Sequence, residues 1–364
     1  MVGRRSVLVV LALLAAACTG DAAQRDPAQP ASSPSATSDP EPAPFGPAGQ
    51  PLIAFHSDPA GRDDTYVMTP RGREPIAVTD GMETIARPSW SPDGTRLVVE
   101  CCTSAHGRLF LLDGPGVEPV ELAPGLAGAS APAWSPDGSR IAFESVADRS
   151  VYVVDVGGAE PRAPVELVPG AGPAWSLDGS RIAYFAEVDG NLDIYTARSD
   201  GTDVTRLTDD PAADHSPLWS PAGDRIAFVS ERDGDQDIYV MEGDGSEETD
   251  VSSNGVPDDF PTWSPDGRRI AFVAYLRGAD PFTIGEGDAE IFVARVGGDR
   301  PVAVSRNRAW DGDPAWSPDG RWIVFTRRAG HGEIYVMRPD GTGQRRLRGV
   351  TGIANDCCPA WRPG

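Results

Sequence analysis

The sequence predicts an all-β chain: a seven-bladed β-propeller of four-stranded antiparallel blades. Three observations lead there. The run Pro88-Ser89-Trp90-Ser91-Pro92-Asp93-Gly94 returns around Trp134, Trp175, Trp219, Trp263 and Trp316 and ends truncated at Trp361, with spacings of 44, 41, 44, 44, 53 and 45 residues. Such a period accommodates four short strands and their turns. Each interval holds short β-branched and aromatic runs bounded by turn residues, with nothing of helical length and period between them. Finally, the chain ends on a first strand that has no second, and its repeats open on a second strand that has no first.

The elements follow in chain order. Arg4 and Arg5 precede an apolar run from Val7 to Ala17 that is too short to span a bilayer, and small residues lead into Cys18. Residues 1–18 therefore read as an export signal, and Leu14-Ala15-Ala16-Ala17-Cys18 resembles a bacterial lipobox. In that family the cysteine is acylated, which implies Cys18 as a lipid anchor and an extracytoplasmic location at the cell membrane. Arg4-Arg5 also fits a twin-arginine signal. Residues 19–50, dominated by Ala, Pro, Ser and Asp, are expected to be a disordered tether, since they offer too little apolar surface to offset their ordering entropy.

Residues 51–364 carry the repeats. In each, Pro presets the second position of the turn after the Trp strand, and Gly suits its fourth. The second strand reads Arg140-Ile141-Ala142-Phe143 or Arg225-Ile226-Ala227-Phe228, the third Ile238-Tyr239-Val240-Met241 or Ile334-Tyr335-Val336-Met337, and the fourth Val204-Thr205-Arg206-Leu207-Thr208. Pairing the N-terminal run Pro51-Leu52-Ile53-Ala54-Phe55 with the Trp361 strand makes one composite blade, closes the ring and removes the open sheet edges.

These linked motifs resemble the WD40-like (PD40) repeat of the TolB family across residues 51–364, with Leu177 where Pro is expected and Ala222 where Asp is expected. TolB itself carries an N-terminal α/β domain and six blades. This chain has a tether and a count of seven, so a role in the Tol system is not carried over.

A formal charge of −22 makes nucleic acid a poor partner and favours cations and basic proteins. One Trp per blade, in register, is expected in the core; burying an aromatic of about 150–250 Å² contributes a gross ~4–6 kcal/mol. Trp310 falls outside that register and is a candidate for stacking on a ligand. Function should sit on the loop face, where the connections are longest. Before the Trp strands lie Asp214, His215, Asp258, Asp259, Asp311, Asp313 and Asp356, which would ring the channel mouth; the alternative is that the aspartates cap turns. The insertion from Tyr275 to Asp288 is a candidate recognition loop. Asp233-Gly234-Asp235-Gln236-Asp237 hints at calcium but lacks the closing glutamate of an EF-hand.

Two adjacent cysteine pairs, Cys101-Cys102 and Cys357-Cys358, fall on neighbouring blades and are candidates for disulfides that staple the ring; a four-thiolate zinc site is the alternative. His56, His106 and His331 map to the same face, and a metal-dependent lyase or hydrolase would need them to converge. No Gly-x-Ser-x-Gly elbow is present. The expectation is thus a non-catalytic envelope module without a cofactor, touching the membrane only through its lipid, whose ligand is a protein, peptide or glycan. A passive scaffold is the remaining alternative.

Overall fold

The computed structural model describes residue 45 and residues 50–59, 61–72, 75–82, 84, 87–101, 107–158, 160–276, 287–348 and 355–364. The signal, most of the expected tether, Cys18, Cys102, His106 and the greater part of the 275–288 insertion lie outside these residues.

All 28 strands belong to antiparallel four-stranded groups. Blade 1 is composite: Cys357–Trp361 pairs with Ile53–Ser57, which is followed by Asp64–Met68 and Ile76–Ala77. Blades 2 to 7 begin with the innermost strands Ser89–Trp90, Ala129–Trp134, Ala171–Trp175, Asp214–Trp219, Asp258–Trp263 and Trp310–Trp316. A single parallel bridge, Ala289 to Trp310, joins blades 6 and 7 into one eight-stranded sheet. The outermost strands are mostly two residues long, which leaves little edge for another chain to pair with.

The repeated residues are those that blades need in order to pack. The Phe of the second strand and the aromatic of the third are cross-strand partners, with ring centroids 5.8 Å apart for Phe55–Tyr66 and 5.7 Å for Phe228–Tyr239 and Phe325–Tyr335. Each core cluster draws on two successive blades, and the cluster of Ile53, Phe55 and Met68 with Val324, Ile334 and Val336 joins blade 1 to blade 7.

The register tryptophans add a directed contact. Trp90 Nε1 donates to the carbonyl of Ala360, Trp134 to Ser89, Trp175 to Ala133, Trp263 to Leu218 and Trp316 to Thr262, at 3.1–3.3 Å. The acceptor in every case is the residue before the preceding blade's Trp. An arginine opening the second strand then lies over the next blade's indole, as Arg140 does over Trp175 at 4.6 Å and Arg269 over Trp316 at 4.7 Å.

The turn after each Trp is locked by its own side chains. Gly94 N–H donates to the Ser91 carbonyl at 2.8 Å, and Ser91 Oγ donates to Asp93 at 2.6 Å. In the equivalent turns the serine hydroxyl and two further donors hold Asp137 and Asp178 down at about 2.

One residue of the expected 19–50 tether is described inside the fold. Phe45, the one large apolar side chain between residues 19 and 50, is buried edge-on against Trp90 at 4.9 Å. Its carbonyl accepts from Arg362 Nη1 at 3.3 Å, and Arg362 also stands over the Trp90 ring at 5.6 Å. Residues from both ends of the chain thus pack on one tryptophan.

Candidate functional site

Six innermost strands share a β-bulge three residues before the Trp. There Ala131, Gly172, Ser216, Phe260, Asp313 and Cys358 have φ between 50° and 59°. An L residue in this left-handed region costs about 1–2 kcal/mol, and the bulge re-aims the side chains around it. A proline follows this position in every blade, from Pro88 to Pro359. Proline suits an innermost strand because that strand is a sheet edge: it has no N–H to leave unsatisfied, and it makes the wall apolar.

These walls enclose a cavity of ≈ 650 Å³. Innermost strands of blades 3 to 6 line it, and Arg87 reaches in from the inter-blade segment of blade 2. Since these strands run from the loop face to the tight turns, the cavity follows the channel. Its loop-face end is polar, with His215, Asp259 and Arg87. Its other end is apolar, with Pro136, Pro221 and Leu177, the residue that departs from the repeat's proline.

The bulge divides the mouth residues into two kinds. Asp214, Asp258, Asp311 and Asp356, five residues before their tryptophans, are buried within their own blades. Asp214 meets Arg232 at 3.0 Å, Asp258 accepts from Asn254 at 2.8 Å, Asp311 accepts both Nε and Nη2 of Arg327 at 2.7 Å, and Asp356 accepts from Ser57 Oγ at 2.6 Å. Burial raises Asp258 to about 8 and Asp356 to about 6. All four are thus buried and bonded within their own blades. Trp310 is likewise a packing residue. It is 1% exposed, clustered with Val273, Tyr275 and Ala289, and a Cβ on Gly312 would come within 2.1 Å of its ring, so no face is open to a ligand.

His215 and Asp259 are the candidates that line the cavity, and Asp313 is joined to it through Arg87. His215 lines the cavity edge-on to Phe185, with Nδ1 3.0 Å from Ser216 Oγ, and burial lowers it to about 4. Asp259 accepts the Phe260 N–H at 2.6 Å; burial raises it to about 6 against the pull of Arg87. Asp313 Oδ1 accepts from Arg87 Nη2 at 2.6 Å, and the Arg87 guanidinium lies 4.9 Å from the Phe260 ring centroid. Arg87 and Phe260 escaped the sequence reading. Both stand three residues before their blade's Trp, Phe260 at a bulge and Arg87 just ahead of the strand Ser89–Trp90.

The remaining candidates lie elsewhere. His56 is buried, with Nδ1 3.7 Å from Cys357 Sγ and Nε2 3.4 Å from Asp63. His331 is half exposed beside Glu333 at 3.3 Å. Among the described residues neither joins a group of three metal-ligating side chains. Such a group does form from Asp233, Asp237 and Asp250, whose ligand atoms lie within 4.8 Å of one another. These carboxylates already accept from Tyr239 Oη, Ser252 Oγ and the Ser252 and Ser253 N–H groups. Cys101, Cys357 and Cys358 are all buried, at the end of the second strand of blade 2 and the start of the innermost strand of blade 1.

A family model described as the TolB beta propeller domain matches residues 100–285, half of the chain. The chain belongs to the TolB β-propeller family. Among solved structures, this TolB-family propeller is similar to TolB from Acinetobacter baumannii, with 19% identity over 86% of this chain and 83% of that one and a TM-score of 0.55. It is also similar to an oligogalacturonate lyase solved with manganese (17% identity, 81% and 84% covered, TM-score 0.55). A puromycin-hydrolyzing peptidase of Mycobacterium tuberculosis is similar as well (16%, 84% and 53%, TM-score 0.61). At these identities the likenesses establish the fold. No curated protein sequence matches the chain.

Proposed function

We propose that this TolB-family propeller is a non-catalytic binding module of the cell envelope, held at the membrane by acylated Cys18. Its ligand, a protein segment, peptide or glycan, enters the channel from the loop face. The observation that carries this reading is the cavity itself: ≈ 650 Å³ on the axis, walled by four blades and Arg87 of a fifth. Its chemistry also favours binding over reaction. Among the described residues lining the cavity, the nearest approach to a nucleophile and base is Ser216 with His215, and the other ring nitrogen of His215 faces the Gln236 amide at 3.5 Å instead of a carboxylate; the Cys357, His56 and Asp63 set lies outside the cavity lining. A histidine lowered to about 4 is a poor general base at neutral pH.

The likeness to a manganese-bound lyase supports a second reading, a metal-dependent lyase using His56, His106 and His331. Two measurements separate them. Metal analysis of the full chain is expected to show no stoichiometric metal; metal that is lost in His56→Ala or His331→Ala overturns the binding reading. A photo-reactive phenylalanine analogue placed at Phe260, in the channel, is expected to cross-link a component of envelope extracts. The same group at Val165, on the outer rim, is expected not to. Adducts from the rim alone, or from neither position, refute channel binding.

A further inference from the structure

Among the described residues, the loop-face end of the channel is one positive charge short. Three charged side chains from three blades meet there: Arg87, Asp259 and Asp313. Arg87 bonds Asp313 Oδ1 at 2.6 Å, while Asp259 faces the same guanidinium. Desolvation works against the charge of Arg87, but Asp313, Cys358 and Asp259 together outweigh it. The second oxygen, Asp313 Oδ2, is buried on a residue only 5% exposed and has no hydrogen-bond partner among the described residues. One guanidinium therefore serves two carboxylates.

Beyond this cluster no other charged side chain lines the cavity among the described residues. Its wall is made of prolines such as Pro132, Pro173, Pro217 and Pro261, with Phe185 and Trp175 beside them. An anionic ligand would meet two carboxylates, and a neutral glycan would leave Asp313 Oδ2 buried and unserved, at a desolvation cost. A cation would complete the set, and the net charge of −22 raises its local concentration.

We infer that the channel takes a ligand with an apolar body and one cationic group, the chemistry of a basic peptide, whose ammonium or guanidinium seats between Asp259 and Asp313 in exchange with Arg87. Arg87 is the resident stand-in. It occupies a carboxylate and an aromatic face, as an incoming arginine would, and with 42% of its side chain exposed it has room to swing away. The inference rests on the channel being the binding site.

The test uses the full chain and three matched probes, 4-phenylbutylamine, 4-phenylbutanol and 4-phenylbutyrate, titrated at pH 7.5 and followed by ligand-observed NMR. The amine is expected to bind about ten-fold more tightly than the alcohol, and the butyrate most weakly. Asp259→Asn and Asp313→Asn should each cut the amine's advantage by about three-fold or more and leave the alcohol unchanged. Arg87→Ala should tighten the amine by a similar factor, and it keeps the test alive if an aspartate variant fails to fold. If the alcohol binds and the amine binds no better, or if the butyrate binds best through Arg87, the inference falls and channel binding stands. If none of the three binds, both fall.

Discussion

Glu100 should make the propeller lose stability as pH rises, and Glu100→Gln should abolish that loss. Glu100 lies in the second strand of blade 2 and is 3% exposed. One of its oxygens accepts the Ala131 N–H; the other, Oε1, is buried with no partner among the described residues. Burial, reinforced by nearby Glu144, raises it from 4.5 to about 8. Below pH 4.5 the folded and unfolded chains are both protonated, and the residue contributes nothing to the pH dependence. Above that the unfolded chain releases its proton while the native state holds on. Stability therefore falls by about 1.4 kcal/mol per pH unit until pH 8, where the native state ionises too. The accumulated loss is about 3 kcal/mol at pH 7 and about 4–5 kcal/mol at pH 9. A glutamine keeps an acceptor for Ala131 and does not titrate. With unfolding entropies of about 2.1 cal/mol/K per residue, the variant should melt about 5 °C higher at pH 7 and about 7 °C higher at pH 9, and within about 2 °C of its parent at pH 5. Calorimetric melts from pH 5 to 9 read this directly. A glutamine variant that loses stability with pH as steeply as the parent would refute the reasoning. Glu144→Gln is the contrast: both Glu144 oxygens are engaged, by Ser130 Oγ and Gly172 N–H at 2.9 Å, so an amide forfeits an acceptor and should destabilise at pH 5 by about 1–3 kcal/mol.

Three further outcomes are expected. Gly172→Ala places a Cβ within 2.6 Å of the Phe185 ring at φ +59° and should cost about 2–4 kcal/mol in urea unfolding. Arg232→Ala strands a fully buried Asp214 and should cost about 3–5 kcal/mol, whereas Arg321→Ala, an exposed partner of Asp319 at 4.0 Å, should change stability by less than about 0.5 kcal/mol in the same assay. Thiol titration of the denatured, unreduced protein with Cys18 removed should find none among Cys101, Cys102, Cys357 and Cys358, and reduction should lower stability by about 4–5 kcal/mol; four reactive thiols would end the proposal that disulfides staple the ring.

What could be read in the sequence follows from where the repeat is obligatory. The register tryptophans recur because each packs between blades, and five of them, Trp90, Trp134, Trp175, Trp263 and Trp316, also reach the carbonyl before the preceding blade's Trp. The Phe–Tyr pairs recur because they face one another across adjacent strands. Such contacts are made once per blade, so they write a period into the chain. Asp258 and Asp259, by contrast, are neighbours in sequence with opposite fates, one capped inside its blade and one in the channel. Alternation alone would not say which is which, since the bulge that re-aims the strand is a backbone conformation with no fixed residue type. Arg87 was invisible for a different reason: its partner Asp313 is 226 residues away and meets it only across the assembled channel.

The position three residues before each Trp carries this logic furthest. In chain order it holds Arg87, Ala131, Gly172, Ser216, Phe260, Asp313 and Cys358, seven different residues inside an otherwise repeated motif. Five of the seven pay the left-handed penalty of a side chain where glycine would fit best, and the price recurs although it adds no blade-to-blade hydrogen bond of the kind the tryptophans make. Four of the seven, Arg87, Ala131, Ser216 and Phe260, line the cavity as non-glycine side chains, and Arg87 binds a fifth, Asp313. Packing therefore explains why the flanking Pro and Trp do not vary. On the proposed channel binding, the ligand is what this residue answers to, so the break in the repeat coincides with the proposed site.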